Sequence, residues 1–430
     1  MKKDVLLINL PTGTWYKDDL ATSNSMPPLG LLYIAAYLKK YNYTVKVIDY
    51  AVERLSISEL QKQVKELSPK IVGMSTYNES WNVQKTLCNK IKEVDNNIVI
   101  SAGGAFATFC YNDILNQSKT DYVTKGEGEY SFKLLCDYIL KKSDVNIEDI
   151  PGLCYKEEKE IKVNEGICRI EDLDSLPFPD RSLIPIEKYT LPYTISTSRG
   201  CPGNCIFCSS KAFWGKKVIM RSAKNIFDEV MDIYNTYGSN IFYITDDTFT
   251  ASKKRCLEFC DMIEQTGIHF IWGCESRADV IDEDFIRRIN EVGCNKIQFG
   301  LESADNDILK KIKKNVTIEQ IENAVRLASK YNMHIQASYI VGHAFDTVET
   351  VNKTLEFAKH IKETYGARVV CSVNTPFPGT EQYEKREELG IELKTYDWEK
   401  FILNLPIINT KNLSINQLRY YLGKGQRLVE

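Results

Sequence analysis

The sequence predicts an α/β chain: a doubly wound parallel sheet over residues 1–142, a linker with a hairpin over 143–190, a partial (β/α)6 barrel over 191–380, and a small C-terminal cap or tail over 381–430. Three observations predict it. Short β-rich runs alternate with amphipathic helical stretches from Asp4 to about Leu140. The same alternation restarts at Tyr193 with six strand candidates. In the second series the unusual residues fall at or just past the carboxyl ends of those strands, which is the active-site face of a β/α barrel.

The first strand is Val5-Leu6-Leu7-Ile8-Asn9-Leu10, an apolar run too short to span a membrane or act as a signal and closed by Pro11. A helix follows near Leu29 to Tyr41, then the runs VKVID, IVGMS, IVISAGG and DYVT, with helical stretches between them. Open sheets of this kind bind ligands beyond their carboxyl ends. There the chain places Ser75-Thr76, Gly103-Gly104 and Gly126-Glu127-Gly128-Glu129. Those glycines equally suit tight strand-to-helix turns. The linker carries a charged hairpin candidate, Leu153 to Val163, and the proline-rich Leu176-Pro177-Phe178-Pro179-Asp180. The barrel strands are expected at YTISTS, IFYIT, HFIWG, KIQFG, IQASYI and VVCSV. At their ends lie a cysteine loop, Asp246-Asp247, Glu275 with Arg277, Glu302, Gly342 and Thr375-Pro376. The last fifty residues hold Trp398, Phe401, Tyr420 and Tyr421 in a helical or mixed pattern.

With 55 basic and 58 acidic residues the net charge is −3, so no overall basic field favours nucleic acid. Thirteen cysteines without an export signal imply a reducing, cytoplasmic setting. Six of them (Cys88, Cys110, Cys136, Cys154, Cys168, Cys294) read as small buried apolar residues. The exception is Arg199-Gly200-Cys201-Pro202-Gly203-Asn204-Cys205-Ile206-Phe207-Cys208-Ser209. C-x3-C-x2-C offers three thiolates. A structural zinc site closes with a fourth Cys or His, and a ferredoxin-type carrier gives four cysteines to its cluster. The next cysteine is Cys256 and the first histidine is His269, so neither site completes itself locally.

The cysteine spacing, with an aromatic residue before the third cysteine, resembles the radical S-adenosylmethionine (SAM) superfamily. The series TSRGCPxxCxFC, IxDDTF, CExRAD, FGLES and SYIVG is similar to its cobalamin-binding, class B branch, across roughly residues 4–380. The resemblance implies that Cys201, Cys205 and Cys208 bind a [4Fe-4S] cluster whose fourth iron is open to SAM. It implies SAM contacts from Phe207, Asp247, Arg277 and Glu302, and from the backbone around Ile340 to Gly342; Asp246, Gln298 and Ser303, polar groups at or near the same strand ends, are further SAM-binding candidates, or else part of a solvated ion network at the barrel rim. His343-Ala344 departs from the usual apolar-then-proline pattern. His343 is therefore a candidate substrate residue or, as the plainer reading, a structural imidazole. Trp214 and Tyr339 are further substrate candidates, with Trp15, Tyr16, Tyr77, Trp81 and Phe213 as other possible cavity walls.

The first domain resembles the Rossmann-like cobalamin domains of this branch through Pro28, Leu29 and Gly30 at the first helix, Asp49, Ser75, Thr76, Gly103, Gly104, Gly126, Glu127, Gly128 and Glu129. Residues 1–268 contain no histidine, so the Asp-x-His-x-x-Gly motif that gives imidazole to cobalt elsewhere is absent. Ala105-Phe106 stands where relatives are usually polar. The resemblance implies a radical C-methyltransferase using two SAM molecules, with an electron donor such as flavodoxin or ferredoxin and a peptide or small-molecule substrate. A cobalamin-dependent cyclase or ring-rearranging oxidase, and a non-enzymatic cluster and cobalamin sensor, are the alternatives. A methylthiotransferase would bring three further cluster cysteines in its first domain, and no such pattern is present.

Overall fold

The structure is a computed structural model describing residues 2–11 and 26–429. Trp15 and Tyr16 lie outside the described residues. The chain divides into two compact units, Met1–Pro192 and Tyr193–Glu430.

In the first unit β1 (Val5–Asn9), β2 (Val45–Asp49), β3 (Ile71–Ser75), β4 (Val99–Gly103) and β5 (Tyr122–Thr124) form a parallel sheet in the order β2-β1-β3-β4-β5. Continuous apolar runs make strands buried on both faces. In β1, Val5 and Leu7 pack into one core with the helices Leu29–Lys40 and Gly128–Leu140. Leu6 and Ile8 point into the other, with Ile57–Leu67 and Trp81–Val94. Helix Ile57–Leu67 starts at a Ser56/Glu59 capping box. The hairpin foreseen in the linker is β6 (Leu153–Glu157) and β7 (Glu160–Val163). It does not stand apart: β6 pairs antiparallel with β5, Val123 opposite Cys154, and extends the sheet to seven strands.

In the second unit β8 (Thr194–Ile195) leads to a ribbon of β9 (Ser198–Arg199) and β10 (Ile219–Met220). Then come β11 (Ile241–Ile244), β12 (Ile271–Ser276), β13 (Cys294–Glu302), β14 (His334–Val341) and β15 (Arg368–Val373). The six-stranded sheet runs β15-β14-β13-β12-β11-β8, all parallel, and its two edge strands do not pair with each other, so the barrel is partial and open. Alternation sets the faces. Ile297, Phe299, Leu301, Ile335, Ala337, Val341, Val369 and Val373 enter the main core. Gln298, Gly300 and Glu302, with Gln336, Ser338 and Ile340, occupy the opposite, lumen face.

Tyr339 is corrected by this register. It shares the core face with Ala337 and Val341, is fully buried, and donates its hydroxyl hydrogen to the Gly425 carbonyl at 3.3 Å. The C-terminal helix Ile415–Val429 supplies that carbonyl and sits against β15 closely enough that a side chain at Gly425 would overlap Cys371. Gly293, at φ +93°, turns the chain into β13 where any Cβ would overlap the Phe270 carbonyl. No helix among the described residues is long and apolar enough to cross a membrane.

Candidate functional site

The cysteine loop follows β9 of the two-stranded ribbon and is held from below by a buried clamp. Asp246 is 2 % exposed and accepts hydrogen bonds from the Thr197 hydroxyl and amide, from the Ser198 amide at 3.1 Å and from the Ser198 hydroxyl at 2.6 Å. Arg255 stands 3.7 Å from it and donates to the Thr197 carbonyl at 2.8 Å and the Phe249 carbonyl at 3.0 Å. Both oxygens of Asp246 are thus used to fix the turn that launches the cysteines. The carboxylate of its neighbour Asp247 accepts from the Ser210 hydroxyl at 2.6 Å, its one side-chain hydrogen bond among the described residues, and burial pushes its pKa up.

The three thiols are free, Cys201 and Cys205 half-buried and Cys208 exposed. A Cβ on Gly203 would lie 3.3 Å from Cys201 Sγ, 3.8 Å from Cys205 Sγ and 3.1 Å from Arg277 Nη1, so a missing side chain clears the space beside two sulfurs and a guanidinium. Cys201 Sγ accepts from the Gly203 amide at 3.4 Å and Cys208 Sγ from the Ser210 amide at 3.5 Å. Among the described residues no three side chains converge on a single metal ion. A cubane takes each thiolate on a different iron, and this spread-out, amide-decorated donor set fits one. Burial raises the Cys205 thiol, while Lys314 and Arg277 pull it back.

Around the loop the remaining residues fall into two groups. Glu302, at φ +65°, pairs with buried Lys314 at 3.0 Å, and Gly300 has no side chain because one would overlap that pair. Arg277 chelates Asp279 at 3.0 and 2.9 Å and caps the Lys314 carbonyl at 3.0 Å. The Phe207 and His343 rings lie 5.4 Å apart. His343 is 1 % exposed, its Nε2 has no partner among the described residues, and burial lowers its pKa. Asp346 holds the Gly342 and His343 amides at 3.0 and 2.8 Å. Farther off, Ser303 is 3.5 Å from the Thr354 hydroxyl, and Gln298 receives the Gln336 amide at 2.8 Å on the lumen face. Trp214 packs edge-on to Phe213, under the Arg199 guanidinium.

Lys314 was not singled out by its sequence, since Lys310-Lys311-Ile312-Lys313-Lys314 reads as a solvated charge run. Only burial separates it from its neighbours. Glu275 on β12 is also distinctive: burial, then Asp247 and Asp246, raise its carboxyl to about 7. A folded-state pKa above the ordinary value removes stability as pH rises from about 4.5 through 7, a cost of about 3 kcal/mol once ionised. Glu275→Gln is therefore expected to raise the melting temperature of the cofactor-free protein at pH 8, with most of the gain gone at pH 5. Equal effects at both pH values would contradict this.

In the first unit, Ser75 pairs with Gly103 and Ala102 with Val123, which sets Ser75-Thr76, Gly103-Gly104 and Thr124 side by side at the carboxyl end. The hydroxyls of Thr76, Ser101 and Thr124 are buried and have no hydrogen-bond partner among the described residues. Gly104 has φ +97°, and a Cβ there would lie 3.2 Å from the Thr76 carbonyl. Unsatisfied hydroxyls beside a side-chain-free turn fit a polar group inserted from outside. Other residues of the expected set are used internally. Asp49 accepts from Asn9 at 3.0 Å and from the Tyr189 hydroxyl. Glu127 pairs with Arg169 at 3.1 Å and holds the Ile170 amide at 3.0 Å. Gly126 makes way for Ile167, and Gly128 for Ile34. Glu129 is buried, Pro28 and Leu29 are half-buried, and Gly30 is exposed with open space around it. Trp81 is buried against Phe106, while Tyr77 is exposed.

Known proteins resemble this chain in sequence and fold. A family model described as the Radical SAM superfamily matches residues 195–358, and one described as the B12 binding domain matches residues 20–135. An uncharacterized methyltransferase of Pyrococcus horikoshii is 32% identical over 98% of this chain and 91% of its own length. The cytidylyl-2-hydroxyethylphosphonate methyltransferase of Streptomyces wedmorensis is 27% identical over 83% of this chain and 77% of its own length. An anaerobic magnesium-protoporphyrin IX monomethyl ester cyclase of Rubrivivax gelatinosus is also 27% identical, over 92% of this chain and 72% of its own length. Among solved structures, the radical SAM methyltransferase TsrM of Kitasatospora setae, with cobalamin and [4Fe-4S] cluster bound, superposes with a TM-score of 0.74 at 19% identity over 92% of this chain and 78% of that one. The cobalamin-dependent SAM radical enzyme OxsB, with aqua-cobalamin and SAM bound, gives 0.78 at 18% identity over 98% of this chain and 66% of that one. This chain belongs to the cobalamin-binding radical SAM enzymes, whose cofactors are a [4Fe-4S] cluster, SAM and cobalamin.

Proposed function

We propose that the protein is a C-methyltransferase that uses two SAM molecules to methylate an unactivated carbon. The observation that carries methyl transfer over cyclisation is the 32% identity, across nearly the whole length of both chains, to a protein named as a methyltransferase. When bound, the cluster and SAM supply a carbon-centred radical and cobalamin carries the methyl group. The chain's own residues hold and orient these groups. Cys201, Cys205 and Cys208 are the cluster ligands. Arg277 and Lys314 place positive charge where a carboxylate of SAM would sit, Asp247 and Glu302 offer carboxylates to its amino and hydroxyl groups, and Phe207 with the backbone of Ile340 to Gly342 provides an apolar edge. Asp246 acts differently, as the support of the cysteine turn. Residues 1–142 hold cobalamin and 191–380 hold cluster and SAM, with 381–430 closing the barrel's last strand.

In the cobalamin unit Ser75, Thr76, Ser101, Gly103, Gly104 and Thr124 receive the nucleotide tail. With no histidine in residues 1–268, this unit gives cobalt no imidazole. A buried hydroxyl without a partner costs about 1 kcal/mol or more in the empty protein. Thr124→Val is thus expected to leave the cofactor-free melting temperature unchanged or higher while weakening cobalamin retention about fivefold, measured by equilibrium dialysis, since one hydrogen bond is worth about 1 kcal/mol. Lower stability with unchanged retention would contradict the assignment.

The function itself is tested by anaerobic reconstitution with iron, sulfide and cobalamin, followed by mass spectrometry of a SAM incubation with dithionite. Methyl transfer requires both 5′-deoxyadenosine and S-adenosylhomocysteine, the latter dependent on cobalamin. 5′-Deoxyadenosine alone, with cobalamin bound, would favour the cyclase reading that the Rubrivivax relative represents.

A further inference from the structure

Two opposite charges stand in the lumen of the second unit without meeting each other. Register sets them in successive rows of the lumen face. Tyr243, Gly273 and Lys296 lie side by side on β11, β12 and β13, and Glu275, Gln298 and Gln336 form the next row on β12, β13 and β14. A packed barrel fills such rows with bulky branched side chains. Here Glu275, Lys296, Gln298 and Gln336 are polar and half-buried. Lys296 Nζ lies 5.3 Å from the centre of the buried Tyr243 ring, and a side chain on Gly273 would overlap both residues. Gln336 donates to Gln298 at 2.8 Å, so the two amides are spent on each other. Among the described residues Lys296 forms no ion pair, and the Glu275 carboxylate forms neither an ion pair nor a hydrogen bond. Lys296 is near enough to pull the Glu275 carboxyl toward its ordinary range, yet burial, Asp247 and Asp246 outweigh it. Opposite charges partly withdrawn from water gain by closing on each other, or on a ligand that offers a partner to both. These two sit one row apart, about 7 Å along the strand direction, and the ring beneath Lys296 holds its ammonium away from Glu275.

We infer that the lumen binds a free α-amino acid, its ammonium on Glu275 and its carboxylate on Lys296, and that this amino acid is the substrate. The word substrate rests on the methyltransferase reading above; the binding site does not. With one charge-assisted hydrogen bond of about 2.8 Å at each end, a single ammonium–Cα–carboxylate unit spans the one-row gap. A cation alone would leave Lys296 without a partner, and an anion alone would leave Glu275 without one. Each is a cost in a half-buried site. The Gln298 and Gln336 amides beside Glu275 add hydrogen-bonding capacity and no competing charge.

The test titrates reconstituted holoenzyme, without reductant, with each proteinogenic L-amino acid up to about 10 mM, read by calorimetry. For every amino acid that binds, two truncated probes follow: the deamino acid, which lacks the ammonium, and the decarboxylated amine, which lacks the carboxylate. In the wild type each probe is expected to bind about tenfold or more weakly than the amino acid. In Glu275→Gln the deamino acid and the amino acid should bind within about twofold of each other while the amine is still discriminated. In Lys296→Met the amine and the amino acid should converge while the deamino acid is still discriminated. A merely structural role for either residue would weaken all three ligands alike. No binding by any amino acid, equal binding of the truncated probes in the wild type, or unchanged discrimination in either variant overturns the inference. With SAM and dithionite, the amino acid that binds should gain a methyl group. S-adenosylhomocysteine without methylated amino acid would overturn its assignment as substrate. Binding with the expected discrimination but no S-adenosylhomocysteine would instead fail the methyltransferase reading and leave the site standing, because the titration needs no turnover.

Discussion

Cys205→Ala is expected to yield a folded protein that no longer assembles its cluster. Iron after reconstitution should fall from about four per chain to a small residue, and SAM cleavage should drop by more than about 100-fold, past the range typical of residues that only support a ligand. The fold should survive because Cys205 packs beside a cleared space rather than in a core, with Gly203 and Arg277 as neighbours. Cys274→Ala provides the contrast. That thiol is fully buried in the main core, so its loss should cost some stability and leave iron content unchanged. Iron retained in Cys205→Ala, or lost in Cys274→Ala, would move the cluster away from the three-cysteine loop.

The second large effect separates two adjacent carboxylates. Asp246 receives four hydrogen bonds from residues 197 and 198 and faces Arg255, all of it buried. Removing it strands those donors and leaves Arg255 without its countercharge, which costs about 3–5 kcal/mol. Asp246→Ala should therefore lower the melting temperature of the cofactor-free protein by about 10 °C, given about 2–4 °C per kcal/mol for a unit of this size. Asp247→Ala should behave oppositely. Burial already disfavours its charge, so the cofactor-free protein should be little changed while SAM affinity falls. Calorimetry without cofactors, paired with SAM titration, checks both. If Asp246→Ala kept its stability and lost only SAM affinity, the clamp would be a binding group after all.

The strands and their order of appearance were legible because two periodicities carry them: apolar runs buried on both faces in the first unit, and alternation in the second. The cysteine loop was legible because three thiols in eight residues have few other uses. What sequence could not show is how a side chain is used once buried. Asp246 and Asp247 look alike in the chain, and only the turn at Thr197 and Ser198, about fifty residues away, distinguishes a support from a carboxylate with one hydroxyl donor. Lys314 hides in a lysine run for the same reason. Tyr339 failed differently: within IQASYIV every residue is compatible with either face, and Ile335, Ala337 and Val341 fix the register only when the helices are in place. Asp49 and Glu127 stand among the cobalamin contacts that the resemblance implies, and their partners Tyr189 and Arg169 come from the segment read as a linker with a hairpin.

The central claim is that one chain brings SAM-derived methyl to cobalamin and also cleaves SAM to a radical. The most direct measurement incubates holoenzyme with methyl-deuterated SAM and a reductant, then extracts the cobalamin and the adenosine products for mass spectrometry. The account predicts label on the cobalamin together with S-adenosylhomocysteine and 5′-deoxyadenosine. Unlabelled cobalamin with no S-adenosylhomocysteine, in enzyme that still forms 5′-deoxyadenosine, would contradict it.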